Sequence, residues 1–414
     1  MLNMETLDRV SAVLESGLAS DDLTEFYDAL RASELPYIGM AHNGDSCGLA
    51  RACCDIVHRL GGLSPAVALA FENHLFVTAA LATLPVQNQG LNARGARAIL
   101  EKVARERLFI ANTSSRVHTN KLNAIGALAR REGDGFRITG SAAYTSLATQ
   151  GDLLLFTARL EEGGWALFIA PMRDNQCIEI GPFLFPRAMI ASDTRRIEFR
   201  GLFLSEDSLL QGGKSKEMAM LNQFWLCWHV TMVSALYIGA AARAIEEVRR
   251  FLRAMSLDGN PLAELDGMVI DAGRLALRYR AARAVLDRAV DALGRLAQDV
   301  LKPERVAKTF ELATASKYVG TNTAEEIVTK ARKIVGSRSF TGGHPLERLS
   351  MEVPFGPLGP EPDAFIERLH GREVLGERPF AVVVDDAMVL GSSKAPARRA
   401  TRAKAARKVR ARKT

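Results

Sequence analysis

The chain has 414 residues, enough for two or three structural units around a large core, with 54 Lys and Arg against 47 Asp and Glu and a formal charge of +7. Ten of the cations lie between Lys394 and Lys413 with no acid among them, leaving 44 basic against 47 acidic residues elsewhere, so the body is mildly acidic and only the tail is basic. Five cysteines without a C-x-x-C pair exclude a disulfide framework and a zinc site, MLNMETLDRV lacks the apolar stretch of a secretory signal, and a reducing cytoplasm is expected.

From Met1 to about Asn112 the apolar spacing is helical. Leu7, Val10, Leu14 and Leu18 mark one stripe, Phe26 and Leu30 a second helix, and Ser64-Pro65 opens a third carrying Val67, Phe71, Leu75 and Ala79. Leu35 to Leu49 reads as a loop, and Pro85 begins a connection into Ala93 to Val103. Inside the loop, Gly44-Asp45-Ser46-Cys47-Gly48 fits G-x-S-x-G, the strained turn that exposes a nucleophilic serine in α/β-hydrolases. That turn needs a buried strand before it and βαβ alternation around it; neither pattern is here, and the serine is expected to be structural.

Between Gly133 and Phe203 the period changes to that of strands. Gly133-Asp134-Gly135 is a turn signal, Phe136 to Gly140 alternates, Leu153 to Ala158 and Trp165 to Ala170 are apolar runs, and Arg196 to Arg200 alternates again. These spell a small antiparallel β domain between two helical halves. Beyond Leu210 helix returns: Leu275, Tyr279, Ala282, Leu286, Ala289, Leu293 and Leu296 make one buried face, and Phe310, Ala313, Lys317, Ala324, Ile327 and Ala331 another, as in a four-helix bundle. Phe224 to Ala242 approaches the length of a membrane span, but His229, Thr231 and Ser234 interrupt it, so a buried bundle helix is expected and no membrane. After Phe380, AVVVDDAMVLGSS reads equally as a strand or a short helix; from Ser392 the tail cannot bury a core and is expected to be disordered. Without interleaved aromatics or a preceding recognition fold, that tail reads as a solvated extension rather than a nucleic-acid site.

The stretch GDGFRITGSAAYTSLATQGDLLLFTA resembles the acyl-CoA dehydrogenase segment G-x-G-[YF]-x-[IL]-x-G-x-K-x-W-I-T-x-A followed by A-D, matching at Gly133, Gly135, Phe136, Ile138, Gly140 and Asp152. Glu325 to Phe340 followed by Gly343-His344-Pro345-Leu346-Glu347-Arg348 is similar to the family's A-x-Q-x-x-G-G-x-G-[YF] and [YH]-P-[VL]-E-R. The resemblance covers roughly residues 5 to 376 and implies an α+β fold with these divisions: an N-terminal helical domain (1–111), a barrel-like antiparallel middle domain (112–209), a C-terminal four-helix bundle (210–379) and a basic tail (380–414). It also implies an FAD-dependent oxidoreductase that dehydrogenates an acyl thioester, active as a homodimer or homotetramer and served by an electron-transfer partner. A second branch of the same fold, the two-component monooxygenases, takes reduced FMN or FAD from a flavin reductase and activates oxygen. A third reading is a homologue that binds without catalysing.

Residue by residue, the family's Trp-Ile-Thr, which meets the isoalloxazine face and N5, falls on Tyr144-Thr145-Ser146. Tyr keeps a stacking face and Ser146 a hydroxyl; the alternative for Tyr144 is a core aromatic at a strand end. The family's T-E-P-x-A-G-S-D is replaced by Asn112 to Thr119, where Thr113 keeps the flavin-contacting hydroxyl and Arg116 or His118 is available to an anionic substrate. The resemblance further assigns dinucleotide contacts to Lys333, Gly336 and Ser337 in the glycine turn, and to Arg253 ahead of Gly259-Asn260-Pro261-Leu262. The family's base aligns with Glu361, one position late and between Pro360 and Pro362. If Glu361 reaches the site, the chain has the carboxylate a dehydrogenase needs to take an α-proton; if not, the monooxygenase branch needs none.

Overall fold

The computed structural model describes residues 2–84, 93–113, 125–213, 216–296, 301–359 and 361–381. Six helices come first: α1 Met4–Ser20, α2 Thr24–Ala32, α3 Ile38–Ala41, α4 Ser46–Gly61, α5 Pro65–Thr83 and α6 Ala93–Glu106. The expected stripe of α1 is its buried face, and Phe26 and Leu30 are fully buried on α2. The expected loop from Leu35 to Leu49 is instead a 3-10 turn at Leu35–Tyr37, the single turn of α3 and the start of α4. Asp45 caps α4, its Oδ1 accepting from Gly48 N at 2.8 Å, and this short-range signal was hidden behind the glycines. Ser46 is buried and donates to Gly294 O at 2.9 Å, so the G-x-S-x-G serine pins α4 to the bundle and is no nucleophile.

Eight strands follow: β1 Ile110–Thr113, β2 Ala127–Glu132, β3 Gly135–Thr145, β4 Leu153–Leu160, β5 Trp165–Pro171, β6 Ile178–Phe183, β7 Arg195–Ser205 and β8 Leu209–Gly213. They form one sheet in the order β6-β7-β3-β2-β4-β5-β8, with β1 also on β4. The expectation of an antiparallel domain holds except at β4, which pairs parallel with both β1 and β2 along one edge. Strand period alone does not encode direction, and the pairing with β1 brings Ile110 and Ala111, ahead of the expected middle domain, into the sheet. The sheet curls around its own core of Phe136, Phe156, Phe168 and Phe199.

The chain then enters α7 Lys216–Ala254, a two-strand hairpin (β9 Ser256–Leu257 and β10 Asn260–Pro261), α8 Asp266–Leu296, α9 Pro303–Val335, α10 Pro345–Glu352 and α11 Asp363–Val374. Asp258 and Gly259 both sit at positive φ between β9 and β10, as a two-residue hairpin loop requires. Three long helices make the C-terminal bundle, and the fourth long neighbour is α4, which packs on α7 and α8; α10 and α11 are too short to span it. α7 and α4 cross with backbones almost touching: a Cβ on Gly61 would meet Leu236 O at 2.1 Å, and one on Gly239 would meet His58 O at 1.9 Å. The N-terminal and C-terminal helices consequently share one core cluster. α5 and α7 are long and apolar enough to cross a membrane, but the qualifying windows are 94% and 89% buried, the mark of core helices. The segment after Ala381, including the basic tail, lies outside the described residues.

Candidate functional site

The end of β3 carries the first cluster. Its register against β7 shifts between Ala142 and Thr145, and within this bulge Tyr144 adopts φ +58°. A left-handed tyrosine costs on the order of 1–3 kcal/mol and is held only where the surroundings enforce it. The enforcement is visible: Leu147 N donates to Ser192 O at 3.1 Å, Ala148 N to Asp193 O at 3.2 Å, and Thr149 N and Oγ1 both donate to the Asp193 carboxylate. The bulge turns the Tyr144 ring outward, 58% exposed, with Phe185 stacked on one face at 6.0 Å and Phe355 against Phe185 at 4.9 Å.

Hydroxyl protons around this bulge can be followed one by one. Ser192 Oγ donates to Met189 O at 2.7 Å, and a carbonyl can only accept. Thr194 Oγ1, 2.7 Å from Ser192 Oγ, must then give its proton to Ser192, and Ser146 Oγ, 2.9 Å from Thr194, gives its own to Thr194. Thr113 Oγ1 likewise donates to Ala143 O at 3.0 Å. Both hydroxyls assigned to the flavin therefore direct their protons into the protein, and Ser146 presents lone pairs to anything else. Thr145 is fully buried and its Oγ1 has no partner among the described residues, so its side chain lies away from Tyr144's exposed ring.

A cavity of about 70 Å³ adjoins this cluster, between α5, α7 and the sheet. Asn112 joins the two: it lines the cavity, donates from Nδ2 to Leu155 O at 3.4 Å, and bridges to Ser146. Across from it stands His229 on α7, whose Nδ1 lies 3.0 Å from both oxygens of Glu72 on α5. Glu72 is fully buried, and burial raises its carboxyl above the usual range, with His229 opposing. Burial works against a charged His229 ring, yet the Glu72 carboxylate carries its pKa above the ordinary imidazole value. Both shifts have one meaning for the pair, which keeps one proton where a free imidazole would lose it.

Glu361 lies at φ +54° in the turn into α11. Its charge is felt by His229 and by Lys317. Lys317 is fully buried, and its Nζ lies 3.0 Å from Asp363 Oδ1. Burial lowers the Lys317 pKa, while Asp363 and Glu361 raise it. Glu361 is half-buried.

The remaining residues assigned by resemblance gather elsewhere. Gly336 ends α9 at φ +73° with open space where a Cβ would stand, and Lys333, Ser337 and Arg253 are exposed around it. Thr321, which packs against Gly356 next to Phe355, lies on α9 about 22 Å before Gly336 at 1.5 Å per residue. Within one chain, Arg253, Lys333, Gly336 and Ser337 therefore do not meet the Tyr144 cluster. Arg116 and His118 lie outside the described residues. Glu72 and His229 were missed as a pair; the polar interruption at His229 was the one available signal.

Residues 226–359 match the profile described as acyl-CoA dehydrogenase, C-terminal domain. YdbM of Bacillus subtilis (strain 168), whose name assigns it provisionally to the acyl-CoA dehydrogenases, is 26% identical over 248 residues, 59% of this chain. That match spans 62% of YdbM, under two thirds of its length. The dibenzothiophene monooxygenase TdsC of Paenibacillus sp. A11-2, solved with FMN and indole, superposes with a TM-score of 0.78 at 18% identity, over 90% of this chain and 96% of TdsC. Butyryl-CoA dehydrogenase of Megasphaera elsdenii superposes with a TM-score of 0.74 at 17% identity, over 90% of this chain and 97% of its own.

Proposed function

We propose that this chain, a member of the acyl-CoA dehydrogenase superfamily, is a flavin-dependent oxidoreductase that dehydrogenates a small acyl compound, with Glu361 as the base. What supports the reading is that the charge of Glu361 is felt at His229, which lines the cavity beside Asn112. The residues fit a flat aromatic cofactor: an outward tyrosine face, lone pairs from Ser146, and a cradle at Gly336 open to a second subunit's dinucleotide. Bound flavin supplies the hydride acceptor or, when reduced, the centre that reacts with oxygen. What the chain itself does is bind and move a proton: Glu361 accepts it from the carbon beside a carbonyl.

Monooxygenation is the second reading, and Ser146 favours it. A hydroxyl that offers only lone pairs matches a reduced flavin, which carries the extra N–H, better than an oxidised one. The cofactor would then be reduced FMN or FAD delivered by a reductase, and TdsC is itself a monooxygenase solved with FMN. Anaerobic mixing of flavin-loaded protein with short acyl thioesters separates the two. Bleaching of the flavin band that is lost in Glu361→Gln supports dehydrogenation. Bleaching that persists in that variant removes Glu361 from its role, and no bleaching combined with oxygen-dependent substrate turnover by reduced flavin moves the assignment to the second reading.

A further inference from the structure

The Tyr144 ring stands 58% exposed, and the bulge at the end of β3 fixes its backbone without fixing the plane of the ring. A side chain that loses free torsions when a ligand lands on it weakens binding, whereas one already held does not. The holding here comes from a single neighbour. Phe185, between β6 and β7, stacks on Tyr144 at 6.0 Å and 18°, and among the described residues no other ring or guanidinium meets Tyr144.

Phe185 is itself held from two sides. Leu184 N donates to Thr194 O at 2.9 Å, which anchors the backbone beside it. Phe355, in the 3-10 segment Val353–Leu358 after α10, meets the Phe185 ring edge-on at 4.9 Å and 68°. Phe355 has little room to move. A Cβ on the next residue, Gly356, would come within 3.0 Å of the Thr321 side chain, and one on Gly359 within 2.9 Å of the Phe355 ring. Gly359 N also donates to Phe355 O at 2.7 Å. Three rings therefore run in contact from the sheet to the helical bundle, ending at Gly359, beside the turn that carries Glu361.

We infer that Phe185 and Phe355 are positioning residues for the cofactor: Phe185 holds the Tyr144 ring in the plane that it offers to a flat aromatic ligand, and Phe355 holds Phe185. Neither residue needs to touch the cofactor. The inference rests on reading Tyr144 as the ring that meets the flavin, and its test reads binding rather than turnover.

Oxidised FMN and FAD are titrated separately with the full-length chain, and quenching of flavin fluorescence gives each Kd. Tyr144→Ala should weaken binding. Phe185→Leu, which keeps the bulk and loses the ring, should raise Kd about twofold to tenfold, the effect of one newly freed side chain. Phe185→Tyr, which keeps the stack, should bind as the wild type does. The deciding measurement is a double-mutant cycle: once Tyr144 is replaced by Ala, Phe185→Leu should cost nothing further, because no ring is left to hold. An equal cost in both backgrounds overturns the inference, as does wild-type affinity in Phe185→Leu. Phe355→Leu carried through the same cycle decides the matter should Phe185→Leu fail to fold. If Tyr144→Ala itself binds flavin as tightly as the wild type, or the wild type binds neither flavin, the flavin reading of Tyr144 falls and the inference falls with it.

Discussion

The proton of Ser146 goes to Thr194 because Thr194's own proton goes to Ser192 and Ser192's to the Met189 carbonyl. Replacing Thr194 with Val removes the acceptor and frees Ser146 to donate outward. The ratio of oxidised to reduced flavin affinity, measured by fluorescence quenching and anaerobic titration, should then rise about fivefold to tenfold, the effect of one hydrogen bond. An unchanged ratio would mean that Ser146 does not face the flavin edge. At this scale the sequence was partly legible. Resemblance located Tyr144 and Ser146, but a hydroxyl's direction depends on Ser192 and Thr194, which no motif contains. Glu72 and His229 are 157 residues apart, and Glu72 sits in a helix apolar on every side, where period carries no clue to a partner.

Among the elements, α5 is the one on which the site depends, since it carries Glu72 and, through His74, holds β1. His74 Nδ1 accepts from Ile110 N at 3.0 Å while its Nε2 meets Pro36 O at 2.9 Å, and burial pushes its pKa down to about 4. The start of α5 is closed by Glu352 of α10, which accepts from Ser64 Oγ at 2.9 Å and Ala66 N at 3.0 Å. Burial raises the Glu352 carboxyl to about 7. Between its unfolded value near 4.5 and about 7 the folded state holds more protons, so this group's contribution falls as pH rises through that window. The fall is at most about 3 kcal/mol. Thermal melts from pH 5 to pH 8 should show Glu352→Gln gaining on the wild type as pH rises; parallel curves would rule out Glu352 as the titrating group.

For the whole molecule, α8 leaves an apolar stripe uncovered. Val269, Ile270 and Leu277 are 51%, 53% and 66% exposed, beside a groove to α9 that ends at Lys333 close to the Gly336 turn. Such a stripe on a bundle helix fits a second copy of the chain. Light scattering should show a dimer or tetramer for the wild type and a smaller species for Leu277→Glu; a monomeric wild type would end this expectation. The dinucleotide residues Arg253, Lys333, Gly336 and Ser337 would then serve the neighbour's flavin, which is how residues that do not meet the Tyr144 cluster within one chain belong to the same cofactor.

Order and period were determined by the sequence alone: helices, then strands, then helices, with the buried faces of α1, α8 and α9 in place. Local pattern suffices there, because side chains repeat with the backbone. The tertiary structure alone decided the parallel pairings of β4, the outward turn of Tyr144 and the pairing of Glu72 with His229. Each depends on groups distant in the chain meeting under burial, and the energy that fixes them appears only once water has been excluded from between them.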